Sequence, residues 1–293
     1  MKLVPVLCAV FTLPLMCAEG QSASPSPRQR PATAVTESFR AMSALFAGRL
    51  IQAFDAIPAN RYDYAPTSAQ QTVGFVAQHL VDANYGLCER FAEMTRPRPA
   101  TEVRVDTARA KWPKDTLLAQ LKASFTFCAT AMSRVDDSKL ADEVAVGPLT
   151  AGQTQQRARS LLLFVTDLAE HYSQVASYMR LIGLVPPSAV PPGQHRVVQL
   201  PAAMLARYVG TYDIPPSTLL GSPGLVLDVT RMNDELFVTP SSQPTARLWP
   251  ESDTEFFLKE VNAQVTFTRN AIGAVTGLVL HYNGEDRPGT KIK

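Results

Sequence analysis

From Leu161 to Pro187 the chain reads LLLFVTDLAEHYSQVASYMRLIGLVPP, and no other stretch restricts the fold as much. Apolar or aromatic residues recur at Leu161, Val165, Leu168, Tyr172, Val175, Met179 and Ile182, in alternating steps of four and three. That rhythm is the seam of a helix packed into a bundle. Gly183 and the pair Pro186 and Pro187 end the helix, because glycine suits the C-terminal cap and proline cannot continue the ladder. Beside the seam stand Asp167 and His171, one turn apart on one flank. A carboxylate and an imidazole at that spacing can share a proton or a metal ion.

Three further helical patterns precede this one. Phe39, Met42, Phe46, Leu50 and Phe54 carry a first helix from about Thr33 to about Ile57. A second is expected from about Ser68 to Met94, with the stripe Val73, Val76, Leu80, Ala83, Leu87 and Phe91, and with His79 and Cys88 on its two flanks. A third is expected from about Lys114 to Val135, with Leu117, Leu121, Ser124, Cys128, Ala131 and Val135 facing inward. Residues 95–113 and 136–152 break the pattern as irregular connections, and the fourth helix is expected to start near Thr154. None of the four is apolar all round, which argues against a membrane domain.

Past Pro187 the composition changes. A Pro/Gly linker, 188–200, contains His195 and reads as exposed. Alternating β-branched and aromatic runs follow: Arg207–Ile214, Leu225–Thr230, Glu235–Thr239, Ala246–Trp249, Glu255–Lys259, Gln264–Thr268 and Thr276–Tyr282. Turn signals at 232–234 and 270–273 separate them. Seven or eight short strands in this span predict an antiparallel meander closed into a small barrel, since closure removes sheet edges.

The N-terminus reads as an export signal: Lys2, an apolar run from Leu3 to Cys17, then Ala18-Glu19-Gly20 with small residues where a signal peptidase cleaves. Lipidation at Cys17 is the alternative, opposed by Met16 at a position that wants a small side chain. A Ser/Pro-rich spacer, 21–32, follows. The expected product is periplasmic or secreted, with no transmembrane segment in the mature chain. Cys88 and Cys128 remain after cleavage; in an oxidising compartment they form a disulfide candidate, and two buried thiols are the other reading. The net charge of +2 is too near neutral for a nucleic-acid partner.

Among four histidines, His79 and His171 lie on helices that a bundle can bring face to face. With Asp167 they form the strongest constellation in the chain. Two imidazoles and a carboxylate suit a borderline divalent ion such as zinc, nickel or iron, and an open position would make it a Lewis acid. Glu170 is the candidate general base; Tyr172 and Gln174 are candidate supports, with Tyr172 weighed also as a core aromatic. Asn84 and Tyr85 are pocket candidates by proximity alone. His281 sits in an alternating strand, facing solvent or a pocket. The sequence has no G-x-S-x-G around a serine, no P-loop, no G-x-G-x-x-G and no C-x-x-C, so these chemistries fall away.

The phrases TVGFVAQHLVDANYGLC and AEHYSQVASYMRLIGLVPP resemble the DinB-like superfamily of four-helix metal-binding proteins, over about residues 35–188. That family places one histidine on its second helix and an H-x-x-x-H pair on its last. His79 and His171 match the first and last of these, and Asp167 stands where the family usually has the other histidine. The resemblance implies metal-dependent transferase or hydrolase chemistry on a small molecule; aspartate at 167 implies either a retuned metal preference or a site that has lost its metal. The phrases LARYVGTYDI, LVLDVTRMNDELFV and TEFFLKEVNAQVTFTRNAIGAVTGLVLHYNG resemble the small lipocalin-like domain appended to exported beta-lactamase-type serine hydrolases, over about 200–293. This implies a module without catalytic residues, for binding or oligomerisation, with a homodimer as one outcome.

The expected layout is a signal peptide (1–20), a flexible linker (21–32), an up-down four-helix bundle of DinB-like type (33–187), a Pro-rich linker (188–200) and a lipocalin-like β-barrel (201–293). The leading expectation is a divalent metal at His79, Asp167 and His171, used on a small molecule. The competing expectation is a non-catalytic ligand-binding or interaction protein with a degenerate metal site.

Overall fold

A computed structural model describes residues 33–96, 107–147, 152–189, 195–218, 220–241 and 243–293. The expected signal peptide, the spacer 21–32 and residues 190–194 of the Pro-rich linker lie outside the described residues.

Four long helices form as the seams predict: α1 (Ala34–Ala56), α2 (Val73–Ala92), α3 (Lys114–Ser133) and α4 (Arg157–Leu181). The seam of α4 is buried from Leu161 to Met179, and the expected inward face of α3 is buried along its length. Helix α4 ends as Gly183 requires. Its φ is +81°, the Gly183 N–H donates to Arg180 O and the Leu184 N–H donates to Met179 O, the paired bonds of a glycine C-cap.

Two helix starts differ from expectation. Helix α2 starts at Val73 rather than near Ser68, because Thr72 caps it by accepting from the Phe75 N–H at 3.1 Å. Helix α4 starts at Arg157 rather than Thr154. The three residues before it form β2 (Thr154–Gln156), paired with β1 (Glu143–Ala145) inside the stretch expected to be irregular. On α2 the fully buried positions between Leu80 and Phe91 are Asn84 and Cys88, while Ala83 and Leu87 sit at the seam's edge.

The bundle and the barrel are both present, and the contacts refine the simple up-down order. Asn84 Nδ2 donates to Ser124 Oγ at 2.9 Å, and one turn further along both helices Cys88 is bonded to Cys128. Helices α2 and α3 therefore run parallel. Helices α2 and α4 run antiparallel, since Phe91 packs against Phe164 at the far end of α2 while Tyr178 reaches Gln71 just before its start. Helices α1 and α3 also oppose, with Arg40 bonded to the Met132 and Val135 carbonyls and Lys114 bonded to the Asp55 carbonyl. The course is up, down, down, up. The parallel step from α2 to α3 requires a connection long enough to return along the bundle. The disulfide joins Cα atoms 5.3 Å apart and closes the loop between the two parallel helices.

After the short helix α5 (Ala202–Leu205), eight strands follow: β3 (Gly210–Ile214), β4 (Leu225–Met232), β5 (Glu235–Pro240), β6 (Ala246–Pro250), β7 (Glu255–Phe257), β8 (Ala263–Arg269), β9 (Val275–Tyr282) and β10 (Glu285–Lys291). Each pairs antiparallel with the next, and β10 returns to β3 through Thr290–Asp213 and Lys291–Tyr212, closing the barrel. The barrel interior is filled by side chains. Phe267 lies 4.4 Å, 5.4 Å and 5.5 Å by ring centroid from Tyr208, Phe256 and Tyr212. His195 is not exposed as expected: its side chain is 9% accessible, stacks on Phe257 at 4.2 Å and places Nδ1 2.8 Å from Glu251 Oε2. The ring of Phe257 shelters the imidazole and the carboxylate partners it.

Two barrel elements touch the bundle. Asn283 and Gly284 make the tight β9–β10 turn, both with positive φ, as a two-residue hairpin demands. Asn283 Nδ2 donates to the carbonyls of Ala44 and Leu45 on α1, at 3.0 and 3.1 Å. From the β3–β4 loop, Leu220 is buried in the same apolar cluster as the bundle residues. This loop is held from β10. Glu285 accepts from Ser222 Oγ at 2.9 Å and from Ser217, and Arg287 Nη2 donates to the Pro215 and Pro223 carbonyls at 3.0 and 2.7 Å.

Candidate metal centre

Helices α2 and α4 bring the predicted trio together. One ligand atom from each of His79, Asp167 and His171 lies within 4.8 Å of the others. The imidazole centroids of His79 and His171 are 4.7 Å apart at 63°. Asp167 Oδ1 lies 3.5 Å from His171 Nε2, too long for a good hydrogen bond. It is close to the spacing of about 3.4 Å between donors in a tetrahedral shell with bonds of about 2.1 Å. All three side chains are part-buried, His171 at 14% and Asp167 at 25% accessible.

His171 is held from behind. Gln174, one turn on along α4, places Oε1 3.0 Å from His171 Nδ1. An amide oxygen only accepts, so Nδ1 carries the proton and Nε2 faces Asp167 and His79. The same Gln174 donates through Nε2 to the Tyr178 hydroxyl at 3.0 Å, and that hydroxyl donates to the Gln71 carbonyl at 3.1 Å. This chain fixes both the tautomer and the ring plane, as supports of metal-ligating histidines do. On α2, the Phe75 ring stacks beside His79 at 6.5 Å and 8°. Asp82, three residues past His79, is tied up by Arg109 Nη2 at 2.7–2.8 Å and by Gln78 at 2.8 Å.

The donor set fits a divalent ion. Asp167 Oδ2 is buried with no hydrogen-bond partner among the described residues. A buried carboxylate oxygen left that way is costly, and a cation at the trio would satisfy it. Electrostatics separate the imidazoles. Burial, then the neighbouring His171, lower the pKa of His79 below the usual imidazole value, against weaker pulls from Asp167 and Asp82. Burial also acts against charge on His171, but Asp167 and Gln174, with Glu170 beyond them, outweigh it and raise its pKa.

The remaining expected site residues are placed as follows. Glu170 is exposed beside His171 and contributes charge to it without joining the trio. Tyr172 is a buried core aromatic whose hydroxyl accepts from the Ser188 N–H at 2.8 Å. Asn84 is fully buried between α2 and α3 rather than in a pocket. Tyr85 packs against Phe127, with centroids 5.2 Å apart. His281 lies at a cleft with both nitrogens engaged, by Asp286 at 2.7 Å and Thr266 at 2.9 Å. Tyr178, Gln71 and Phe75 were not singled out from the sequence. Tyr178 was within reach of it, since His171, Gln174 and Tyr178 follow helical spacing on one face.

The family model of the DinB superfamily matches residues 46–175, within the helical part of the chain. Residues 194–291 match a domain of unknown function, DUF3471. A stretch of 102 residues is 28% identical to Penicillin-binding protein 4* of Bacillus subtilis (strain 168), covering 35% of this chain; the chain spans 21% of that relative's length. A solved structure of SurE with D-Leu aligns over 87% of each chain at 15% identity with a TM-score of 0.28, too low to carry any argument about the fold.

Proposed function

We propose that this is an exported protein whose DinB-type bundle holds one divalent metal ion at His79, Asp167 and His171 and uses it on a small molecule. The supporting observation is the convergence of three ligand atoms on one point, with an orphaned Asp167 oxygen among them and a tautomer of His171 that presents Nε2. Two imidazoles and a carboxylate favour zinc or nickel. Such an ion supplies Lewis acidity, suited to transferase or hydrolase chemistry. The chain's own residues do the rest. Gln174 keeps the Nδ1 proton of His171 in place, and exposed Glu170 is the candidate base. The apolar N-terminal run and the Cys88–Cys128 bond support a periplasmic or secreted location.

Metal analysis of the protein purified from the exported fraction tests this reading. Stoichiometric zinc or nickel is expected, lost in His79→Ala and in His171→Ala with helix content retained. A metal-free, monodisperse wild-type protein would instead favour the second reading, a binding scaffold with a degenerate site. What favours that reading is the aspartate where DinB-like proteins usually have a histidine. Glu170→Gln, expected to lower turnover without lowering metal content, tests the base.

A further inference from the structure

The contacts that seat the barrel on α1 leave a cleft of about 580 Å³ between the two. Its walls include Arg49 and Gln52 from α1, Ser188 from the segment after α4, and Lys259, Gln264 and His281 from the barrel. Three carboxylates also line it, and two of these are already satisfied. Asp286 is paired with His281 Nδ1 at 2.7 Å, and Glu285 accepts from Ser217 and Ser222. The third, Glu260, is exposed at the rim.

The two cations are different. Arg49 is part-buried, with its guanidinium carbon 5.6 Å from the centre of the Tyr172 ring, and Lys259 Nζ is 3.5 Å from the centre of the Trp249 ring. Neither has a carboxylate partner among the described residues. Tyr172 is itself fixed, through its hydroxyl bond from the Ser188 N–H. Arg49 is thus a guanidinium laid on a rigid aromatic platform, at the edge of a polar cleft, with its donors uncommitted. The Tyr172 ring face and water offset the partial burial of this charge, and an anion would offset it further. The fork of a guanidinium matches a carboxylate or phosphate in two parallel bonds.

We propose that the cleft between bundle and barrel binds a small organic anion, carrying a carboxylate or phosphate group, gripped by Arg49 from the bundle and Lys259 from the barrel. His281 is a wall of this site, since both of its nitrogens are spent. The amides of Gln52 and Gln264 supply neutral contacts to the rest of the ligand. The site is separate from the metal trio, because Tyr172 faces α1 whereas His171 faces α2. It exists only while the Asn283 turn is seated on α1.

Calorimetric titration of the full chain with phosphate, phenyl phosphate and succinate, at constant ionic strength and with glycerol as the neutral control, tests the proposal. Saturable binding tighter than about 1 mM is expected for at least one anion, with none for glycerol. Preference between the phosphates and succinate assigns the anionic group. Arg49→Gln and Lys259→Gln are each expected to weaken binding about tenfold or more. Asn283→Ala should weaken it with both cations present, and metal content should stay unchanged in all three. A thermal melt of each variant excludes loss of fold as the cause. The proposal is overturned if no anion saturates, or if folded Arg49→Gln and Lys259→Gln bind as the wild type does.

Discussion

Gln174 Oε1 lies 3.0 Å from His171 Nδ1, one turn further along the same helix, and this contact decides which imidazole nitrogen faces His79 and Asp167. Gln174→Leu removes the acceptor and frees the ring to rotate. Metal affinity is expected to fall about 10–100-fold, measured by competition with a chromophoric chelator. Gln174→Glu restores an acceptor and should recover most of the loss. Equal affinities in all three proteins would show that the glutamine does not orient a ligand.

Asp167→His places a second imidazole one turn before His171 on α4. Zinc and nickel affinity should rise, because imidazole is the softer donor and the spacing already suits a shared ion. Asp167→Ala should lose the ion. Unchanged affinity in Asp167→His would remove Asp167 from the ligand set.

The Cys88–Cys128 bond closes a long loop between two parallel helices. Cys88→Ser with Cys128→Ser should cost about 4 kcal/mol in the chain-entropy picture, read from urea unfolding. Alkylation of denatured wild-type protein should add mass only after reductant. Modification without reductant would mean free thiols.

Gly48 sits in the interior of α1, where alanine ordinarily stabilises by about 1 kcal/mol. Here a Cβ would lie 2.5 Å from the Asn283 carbonyl oxygen. Gly48→Ala should therefore destabilise by about 1–3 kcal/mol, and Asn283→Gly in the same chain should relieve only the side-chain part of the clash, since the carbonyl oxygen remains. A stabilised Gly48→Ala would mean that the turn does not rest on α1 in solution.

Elements with a regular apolar period were legible from sequence. The α4 seam from Leu161 to Met179 and the α3 face from Leu117 to Val135 are buried as their spacing predicts. Periodicity failed where a polar residue took a core position. Asn84 is fully buried because Ser124 receives its amide, and an apolar count selects Ala83 instead. It also failed where pairing alone makes a strand. EDRPGTK carries no alternation of hydrophobic residues, yet β10 forms because β9 and β3 both lack a neighbour without it. For the site, Asp167 and His171 were readable as a helical pair. The approach of His79 depends on how α2 packs on α4; the bundle reading offered it, and the family resemblance strengthened it. The clamp of Gln174, Tyr178 and Gln71 runs through a backbone carbonyl, which no pattern of side chains reveals. His195 was misjudged because its Pro/Gly neighbours suggest a free linker, while Phe257 and Glu251, far along the chain, hold it down.

The up, down, down, up course has a consequence for biogenesis. The helix bearing His79 and the helix bearing Asp167 and His171 are separated in the chain by all of α3, whose partner in covalent cross-linking is α2. A growing polypeptide can close that cross-link before α4 has emerged, but it cannot offer three donors to an ion until α4 has docked. Metal capture would then ratify a finished bundle instead of nucleating one, opposite to the behaviour of small zinc modules that stay unfolded until loaded.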